Sequence, residues 1–133
     1  MRVFFDTNVL VSAFLARGLC ADLLRLVLSE HILVTSDVVL AELREVLSRK
    51  GRLPAPQIEA IEMFLREQPV APRPAQTLEL GLVDDDDEWV LASAVLAMAE
   101  LFVTGDQGVL ACSNPPLPVL SPRGCWEHLR ASS

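Results

Sequence analysis

Two aspartates follow short apolar runs that are typical of buried β-strands. Asp6 comes directly after Val3-Phe4-Phe5, and Asp106 follows residues 101–104 with one glycine between them. Ligands bind beyond the carboxyl ends of parallel strands, so both carboxylates are expected at one binding edge if the sheet is parallel. Each also has a simpler explanation, since Asp6 could cap the helix that follows and Gly-Asp is common in turns.

Glu42 and Asp87 interrupt the apolar faces of two predicted helices. At about 100° per residue, Glu42 falls inside an apolar stripe, with Val38 and Val46 one turn to either side. Asp87 falls on the apolar face of the helix predicted over residues 87–101. A buried carboxylate is costly unless a hydrogen-bond network, a cation or a metal compensates it. The simpler alternatives are that Glu42 reaches solvent at the edge of its stripe and that Asp87 caps its helix.

Asp87 belongs to a run of consecutive acids from Asp84 to Glu88. Asp84 lies one helical turn before Asp87 and could be either the helix cap or an auxiliary metal-binding group. We interpret Asp85, Asp86 and Glu88 as solvated residues that cap free N–H groups and favour the helix dipole.

The four acids are harder to explain together than one by one. Two carboxylates about 4 Å apart repel by roughly 4 kcal/mol at an effective dielectric near 20, and a divalent cation removes that penalty. An all-oxygen ligand set without convergent His or Cys suits Mg²⁺ or Mn²⁺ rather than Zn²⁺. Thr7 and Asn8 follow Asp6 in sequence and can hydrogen-bond its carboxylate, which would hold its orientation.

These acids require a sheet to bring them together, and the element pattern predicts one. Short predicted strands at residues 3–5, 31–34, 101–104 and 119–120 alternate with helical segments at 9–15, 21–29, 36–50, 57–67, 87–101 and 123–130. Such alternation indicates right-handed βαβ units and a parallel sheet covered by helices on both faces. Pro69, Pro72 and Pro74 exclude a central strand in the segment that contains them.

Length and composition limit the other possibilities. At 133 residues and 51% hydrophobic, the chain fits a single domain over residues 1–133. No stretch approaches the roughly 18 apolar residues of a membrane span, and the N-terminus lacks the features of a signal peptide, so we expect a cytoplasmic location and no membrane partner. The three cysteines are unpaired in spacing, which argues against a disulfide framework and a zinc site.

Four segments in this order resemble the PIN domain family. They are Asp6-Thr-Asn-Val-Leu, Leu40-Ala-Glu42-Leu, Asp84-Asp-Asp-Asp87 followed by Val90-Leu-Ala-Ser-Ala94, and Val103-Thr-Gly-Asp106. Their order and spacing match across most of the chain, and the closer likeness is to the VapC-like ribonucleases of bacterial and archaeal toxin–antitoxin pairs. Asp85 departs from the pattern, since relatives often carry proline there, and residues 112–118 are proline-rich at the edge of the expected site.

The resemblance implies a metal-dependent endoribonuclease on a three-layer α/β/α sandwich with a central parallel sheet. One or two Mg²⁺ or Mn²⁺ ions would activate water for in-line attack on an RNA phosphodiester. The implied catalytic and metal-binding residues are Asp6, Glu42, Asp87 and Asp106, with Thr7, Asn8 and Thr104 as positioning groups. If the protein is a toxin, an antitoxin protein should cover the acidic cleft.

The charge distribution bears on an RNA partner. A net charge of −7 ordinarily counts against nucleic acid, because phosphate binding depends on Lys and Arg. However, four of the 11 bases follow Glu42 closely, namely Arg44, Arg49, Lys50 and Arg52. They could hold RNA phosphates near the metal, or they could form the solvated end of a helix. Trp89 and Trp126 could stack on bases, although core packing is their more ordinary role.

The sequence also bears on the assembly of the protein and on two other possible functions. The apolar helices at residues 10–28 and 58–65 exceed what one small sheet can bury, which predicts a homodimer. A PIN module that binds RNA or protein without cleavage, around a structural metal, is the alternative function. A phosphatase-like hydrolase on a similar sheet is disfavoured, because Asn8 stands where an Asp-x-Asp motif requires its second aspartate.

Overall fold

The computed structural model describes residues 1–131 and contains a five-stranded parallel sheet between layers of helices. Ser132 and Ser133, the last residues of the predicted domain, lie outside the described residues. The strands are β1 Arg2–Phe5, β2 Ile32–Ser36, β3 Val70–Ala71, β4 Leu101–Val103 and β5 Val119–Leu120. The helices are α1 Thr7–Leu15, α2 Leu19–Glu30, α3 Asp37–Arg49, α4 Ala55–Arg66, α5 Asp85–Leu96, α6 Gln107–Leu110 and α7 Pro122–Ala131.

The strand order β3-β2-β1-β4-β5 places β1 at the centre of the sheet. Phe5, the last residue of β1, pairs with Val103, the last residue of β4, so the segments after these two strands begin side by side. The connections β1 to β2 and β2 to β3 cross the sheet in one direction, and β3 to β4 crosses it in the other. With right-handed crossovers, this reversal places α5 on the opposite face from α1 to α4, and the sheet has the predicted three layers.

The core forms on both faces of β1. Val3, Phe4 and Phe5 have no exposed surface, as expected for a strand covered by helices on both sides. The rings of Phe4 and Phe102 stack with centroids 5.5 Å apart. This packing fixes β1 against β4 and therefore fixes the residues that follow them.

The largest differences from the predicted elements lie in three places, and the other boundaries shift by one or two residues. The proline-rich segment, for which a central strand was excluded, forms the edge strand β3, and the short helix α6 after Asp106 was not predicted. Helix α5 begins at Asp85 and ends at Leu96, several residues before the predicted end. It ends early because Met98 adopts φ 59°, which lets the Ala99 N–H bond the Ala94 carbonyl at 3.1 Å in a left-handed helix termination.

The carboxyl end of α5 is also bonded from β1. The Arg2 guanidinium donates to the Ala97 carbonyl at 2.7 Å and to the Met98 carbonyl at 3.2 Å, which satisfies acceptors that the end of a helix leaves open. Among the helices of residues 1–131, none is long and apolar enough to cross a membrane.

Candidate functional site

Asp6 is a buried carboxylate at the junction of β1 and α1, with 3% of its surface exposed. One of its oxygens accepts from the Thr7 backbone N–H at 2.8 Å. The other accepts from the Thr104 hydroxyl at 2.7 Å and from the Asn8 side-chain amide at 3.1 Å. Burial raises the pKa of Asp6, these three hydrogen bonds oppose the rise, and the nearby charge of Asp106 adds to it. The three donors fix the orientation of the carboxylate.

Asn8 and Thr104 connect the segments after β1 and β4. The Asn8 side-chain carbonyl accepts from the Gly105 N–H at 2.9 Å, and the Thr104 hydroxyl accepts from the Asp106 N–H at 3.0 Å. Each side chain therefore bonds Asp6 and also the loop that carries Asp106. The backbone adds a further link, because the Asp6 N–H bonds the Val103 carbonyl at 2.9 Å.

Asp106 is half-buried and lies immediately before α6. Its Oδ1 accepts from the N–H groups of Gly108 and Val109 at 2.8 and 3.2 Å, which caps the short helix as the turn chemistry suggested. Its Oδ2 makes no hydrogen bond with any residue of the described chain. A capping carboxylate with one free oxygen can still bind a ligand.

Asp87 lies in the first turn of α5 and is half-buried. Burial raises the pKa of Asp87 to about 7, and the charges of Asp6, Asp106, Asp84 and Glu42 contribute in that order. The structure thus brings the four acids singled out from the sequence into one electrostatic cluster. Asp84 belongs to it as well, although its Oδ1 also accepts from the Asp86 N–H at 2.9 Å as the cap of α5.

Glu42 approaches the cluster from α3 and is half-buried. Burial raises the pKa of Glu42, the nearby Thr7 hydroxyl opposes the rise, and the charges of Asp6, Asp86 and Asp84 add to it. The Thr7 hydroxyl is itself buried and has no well-formed hydrogen bond within residues 1–131. The Thr7 oxygen can therefore take part in a further interaction, and it lies beside the carboxylates of Asp6 and Glu42.

Glu88 is a residue that sequence reasoning misjudged. Its interpretation as a solvated capping residue is wrong, because it is 8% exposed and accepts from the backbone N–H groups of Leu80 and Leu82 at 2.6 and 3.4 Å. It anchors the loop that leads into the acid run. Helical projection contained a signal for this role, since Glu88 lies on the same face as the buried Leu91 one turn later.

The comparison with known protein families gives a match over most of the chain. The PIN domain model matches residues 2–108, a range that contains all the acids of the cluster. This chain belongs to the PIN domain family. PIN domains are generally nucleases, and they typically use divalent metal ions.

Solved structures show the same fold in other PIN proteins. The structure of VapBC2 from Rickettsia felis, bound to a DNA fragment from its promoter, aligns with a TM-score of 0.68 and 19% identity, covering 91% of this chain and 98% of that one. The structure of FitAB bound to an IR36 DNA fragment aligns with a TM-score of 0.59 and 18% identity, covering 90% and 94%. No curated protein sequence matches this chain.

The donor set of this PIN domain fits a hard divalent cation in its chemistry. Its groups are carboxylates, and burial and neighbouring charges raise the pKa values of three of them, Asp6, Glu42 and Asp87. The buried Thr7 oxygen lies beside Glu42. In residues 1–131, no three Asp, Glu, His or Cys side chains converge on one metal position as they stand.

The basic residues after Glu42 are placed differently from one another. Arg44 bonds Glu62 of α4 through its Nε at 2.9 Å and through a second nitrogen, so it is directed at α4. Arg49 forms an exposed ion pair with Glu45 at 3.1 Å. Lys50 and Arg52 are exposed at the end of α3 and in its loop.

Three cavities adjoin the acid cluster. The largest, about 430 Å³, lies beside Asn8, Ser12, Cys20 and Asp106. A second, about 320 Å³, lies between Asp84, Asp87 and Asp106 and is bounded by Gly81 to Val83. A third, about 240 Å³, opens beside Glu42 and Trp89. Glu42, Asp84, Asp87 and Asp106 therefore line open cavities, which we call together the cleft, whereas the buried Asp6 lines none of the three.

Proposed function

We propose that this PIN domain is a metal-dependent endoribonuclease that acts as the toxin of a toxin–antitoxin pair. The observation that carries the proposal is the arrangement around Asp6. Three donors hold its buried carboxylate, and burial together with the charges of the neighbouring acids raises the pKa of Asp87 to about 7. Such a cluster is unfavourable in the folded protein on its own and becomes favourable when a cation neutralises it.

Asp6, Asp87 and Asp106 are the proposed ligands of Mg²⁺ or Mn²⁺, and Glu42 completes or orients the set. When bound, such an ion supplies Lewis-acid activation of water and stabilisation of the leaving oxygen. Thr104, Asn8 and the Thr7 N–H hold the Asp6 carboxylate in one orientation. Asp84 caps α5 at the edge of the cavity that is also lined by Asp87 and Asp106, where it can serve as an auxiliary ligand.

RNA would reach the cluster through the cavities beside it. Arg49, Lys50 and Arg52 are proposed as more distant phosphate contacts, because their side chains lie in solvent at the end of α3. Arg44 could join them only by giving up its hydrogen bonds to Glu62. These contacts would add affinity without defining the cleavage position, since phosphate contacts carry no sequence information.

An antitoxin is the proposed protein partner. Both VapBC2 and FitAB are complexes of a toxin with its antitoxin on DNA, and this chain shares their fold. A partner segment that covers the cleft here would need basic residues, because the chain carries a charge of −7 and its acids gather there. Capture of a basic protein encoded beside this gene would support the pairing.

A homodimer is the proposed assembly. Phe14 of α1 and Phe64 of α4 meet edge to face with centroids 6.3 Å apart, and Leu15 and Met63 beside them are 40% and 66% exposed. The helices at residues 10–28 and 58–65 were predicted to carry more apolar surface than one sheet can bury, and these exposed side chains belong to that surface. Sedimentation at micromolar concentration would show a dimer, and a monomer alone would contradict the proposal.

The decisive experiment is metal-dependent cleavage. The purified protein should cut single-stranded or structured RNA in Mn²⁺ or Mg²⁺, and EDTA should stop it. Asp6→Asn should abolish cleavage, whereas Asp22→Asn, which removes the same charge from the exposed Arg25 pair on α2, should leave it intact. Cleavage that persists in EDTA or in Asp6→Asn would overturn the proposal.

The alternative is a PIN module that binds RNA or protein without cleavage while its acids hold a structural metal. That module would bind RNA or protein more tightly with Mn²⁺ and release no products. Multiple turnover of RNA would exclude it.

A further inference from the structure

The guanidinium of Arg73 lies over the indole ring of Trp89, 4.6 Å from the ring centroid. Arg73 is an exposed residue in the segment between β3 and α5, and Trp89 is a half-buried residue in α5, two positions after Asp87. Trp89 packs against the core, which fixes the position of its ring. The contact places a cationic side chain beside the acid cluster.

Arg73 shares a cavity with Glu42. The cavity of about 240 Å³ is lined by Val38, Ala41, Glu42, Glu45, Arg73, Asp86 and Trp89, so Arg73 is the one cation among its lining residues. Three carboxylates line the same cavity, yet Arg73 forms no ion pair or hydrogen bond with any described residue. Its charge is held near the acids without being neutralised by a direct contact.

The stacked arrangement leaves the donors of Arg73 available. Cation–π stacking uses the flat face of a guanidinium, whereas its N–H donors point outward in the plane of the group. Those donors match the geometry of a phosphate, which they can bind in bidentate fashion. Holding the side chain in place before binding also reduces the entropy lost when the ligand arrives.

An RNA strand that approaches this cluster needs such a cation. The carboxylates of Glu42, Glu45 and Asp86 repel phosphate on this side of the cleft, and a resident metal compensates only those acids that it contacts. Arg44 and Arg49, the arginines of the neighbouring α3, are engaged with Glu62 and Glu45. Arg73 is the cation whose position and free donors meet the requirement.

We propose that Arg73, held on Trp89, binds a backbone phosphate of the RNA strand on the Glu42 side of the acid cluster. This inference rests on the proposed function, since it assigns a substrate contact to that same site. Arg73 is a binding residue and takes no part in proton transfer or metal ligation. Its loss weakens RNA binding and lowers the salt dependence of binding.

The test measures binding of a short fluorescein-labelled single-stranded RNA by anisotropy over a series of salt concentrations, in Mg²⁺. The Asp6→Asn protein serves as the non-cleaving background, alone and with Arg73→Gln, Arg73→Lys or Arg25→Gln. Arg25 of α2 is the matched control, because its removal changes the charge equally while its own partner is Asp22. Thermal unfolding of each variant verifies that it is folded.

Arg73→Gln should weaken binding about tenfold and reduce the slope of log K against log salt by about 0.7, the value for one contact to single-stranded nucleic acid. Arg73→Lys should keep the slope, since the charge remains, but bind less tightly than arginine because it lacks the planar fork. Arg25→Gln should change neither quantity. A purely structural role for Arg73 would alter thermal unfolding and leave the slope intact.

Equal slopes for Arg73→Gln and Arg25→Gln would overturn the inference, and so would an absence of RNA binding in the background protein. The proposed function is tested separately by cleavage. If the wild-type protein cleaves RNA with metal and Arg73→Gln cleaves equally well at low substrate concentration, the inference fails and the function stands. If Arg73→Gln lowers the slope but no cleavage occurs in any metal, the phosphate contact stands and the nuclease proposal fails.

Discussion

The hydroxyl of Thr104 donates a 2.7 Å hydrogen bond to the carboxylate of Asp6 across 98 residues of sequence. The same hydroxyl accepts from the Asp106 N–H at 3.0 Å. One buried side chain therefore sets the orientation of one acid and the position of another. The contact exists because β1 and β4 are neighbours in the sheet and end at the same level.

Thr104→Val should destabilise the metal-free protein by about 2 kcal/mol, because it removes a donor from a buried charged acceptor. It should also lower the rate of metal-dependent cleavage, since Asp6 loses its shortest hydrogen bond. Urea unfolding measures the first effect. Thr35→Val is the matched control: its hydroxyl is buried without a hydrogen-bond partner in residues 1–131, so removing it should cost nothing or add stability. Equal losses in the two variants would contradict the assignment.

Asp87→Asn should stabilise the metal-free protein at neutral and higher pH while it abolishes cleavage. Asp87 holds its proton more tightly in the folded protein, with a pKa of about 7, than at its ordinary value of 3.8. Folding stability should therefore fall as the pH rises from 3.8 through 7, because ionisation costs more in the folded state. Asparagine removes this loss. Because Asp87 is half-exposed and solvent screens its charge, the gain should be only on the order of 1 kcal/mol near pH 8.

Unfolding by urea across this pH range measures the Asp87 effect. Asp85→Asn provides the comparison, since it removes an exposed acid from the same turn of α5 and should give no such gain. Added Mn²⁺ should raise the melting temperature of the wild-type protein more than that of Asp87→Asn. A wild-type protein that is equally stable at both ends of the range would refute the prediction.

Glu88→Ala should lower the free energy of unfolding by about 2 kcal/mol, because the N–H groups of Leu80 and Leu82 lose a buried acceptor. Glu88→Gln should cost less, since its amide oxygen can still accept. Hydrogen exchange at the Leu80 and Leu82 amides, followed by NMR, should accelerate in Glu88→Ala. Asp85→Ala, which changes an exposed acid of the same turn, should alter stability by no more than about 0.5 kcal/mol. Unchanged exchange in Glu88→Ala would show that another group holds the loop.

Glu62→Gln should destabilise the protein near neutral pH by about 1 kcal/mol, and the difference from wild type should disappear in acid. Hydrogen bonds from Arg44 and then Arg66 lower the pKa of Glu62 below its ordinary value of 4.5. The stability from this group is therefore present above 4.5 and is lost as the pH falls through the lower folded-state value. Glu59→Gln, an exposed change on the same helix, should show no such pH dependence. A gap between Glu62→Gln and wild type that persists in acid would contradict the ion-pair explanation.

Local patterns in the chain were enough to mark the acids of the candidate site. Asp6 and Asp106 stand next to apolar runs that are typical of buried strands, and Glu42 interrupts an apolar helical stripe. Each of these signals lies within a few residues of the acid concerned, so no knowledge of the fold is needed to detect it. The parallel sheet followed in the same way, because strands that alternate with helices leave few topologies.

Such patterns predicted the ends of the helices and the shortest strand less well. Helix α5 ends at Leu96 because Met98 turns into a left-handed conformation and Arg2 bonds the last carbonyls. Apolar periodicity continues beyond that point and carries no sign of the reversal. The edge strand β3 is similarly invisible, since it is two residues long and exists only because β2 is there to pair with it.

Residue types and their positions on strands and helices were thus determined by the sequence itself, because these properties depend on neighbours along the chain. Only the tertiary structure decided which acids lie together and which groups are bonded to which. Thr104 meets Asp6, Glu88 meets Leu80, Arg44 turns to Glu62 and Arg73 rests on Trp89. Each of these contacts depends on the order of strands in the sheet, the packing of helices or the path of a loop. Hydrogen bonds and stacking act only over a few ångströms, and the sequence does not show which distant residues come that close.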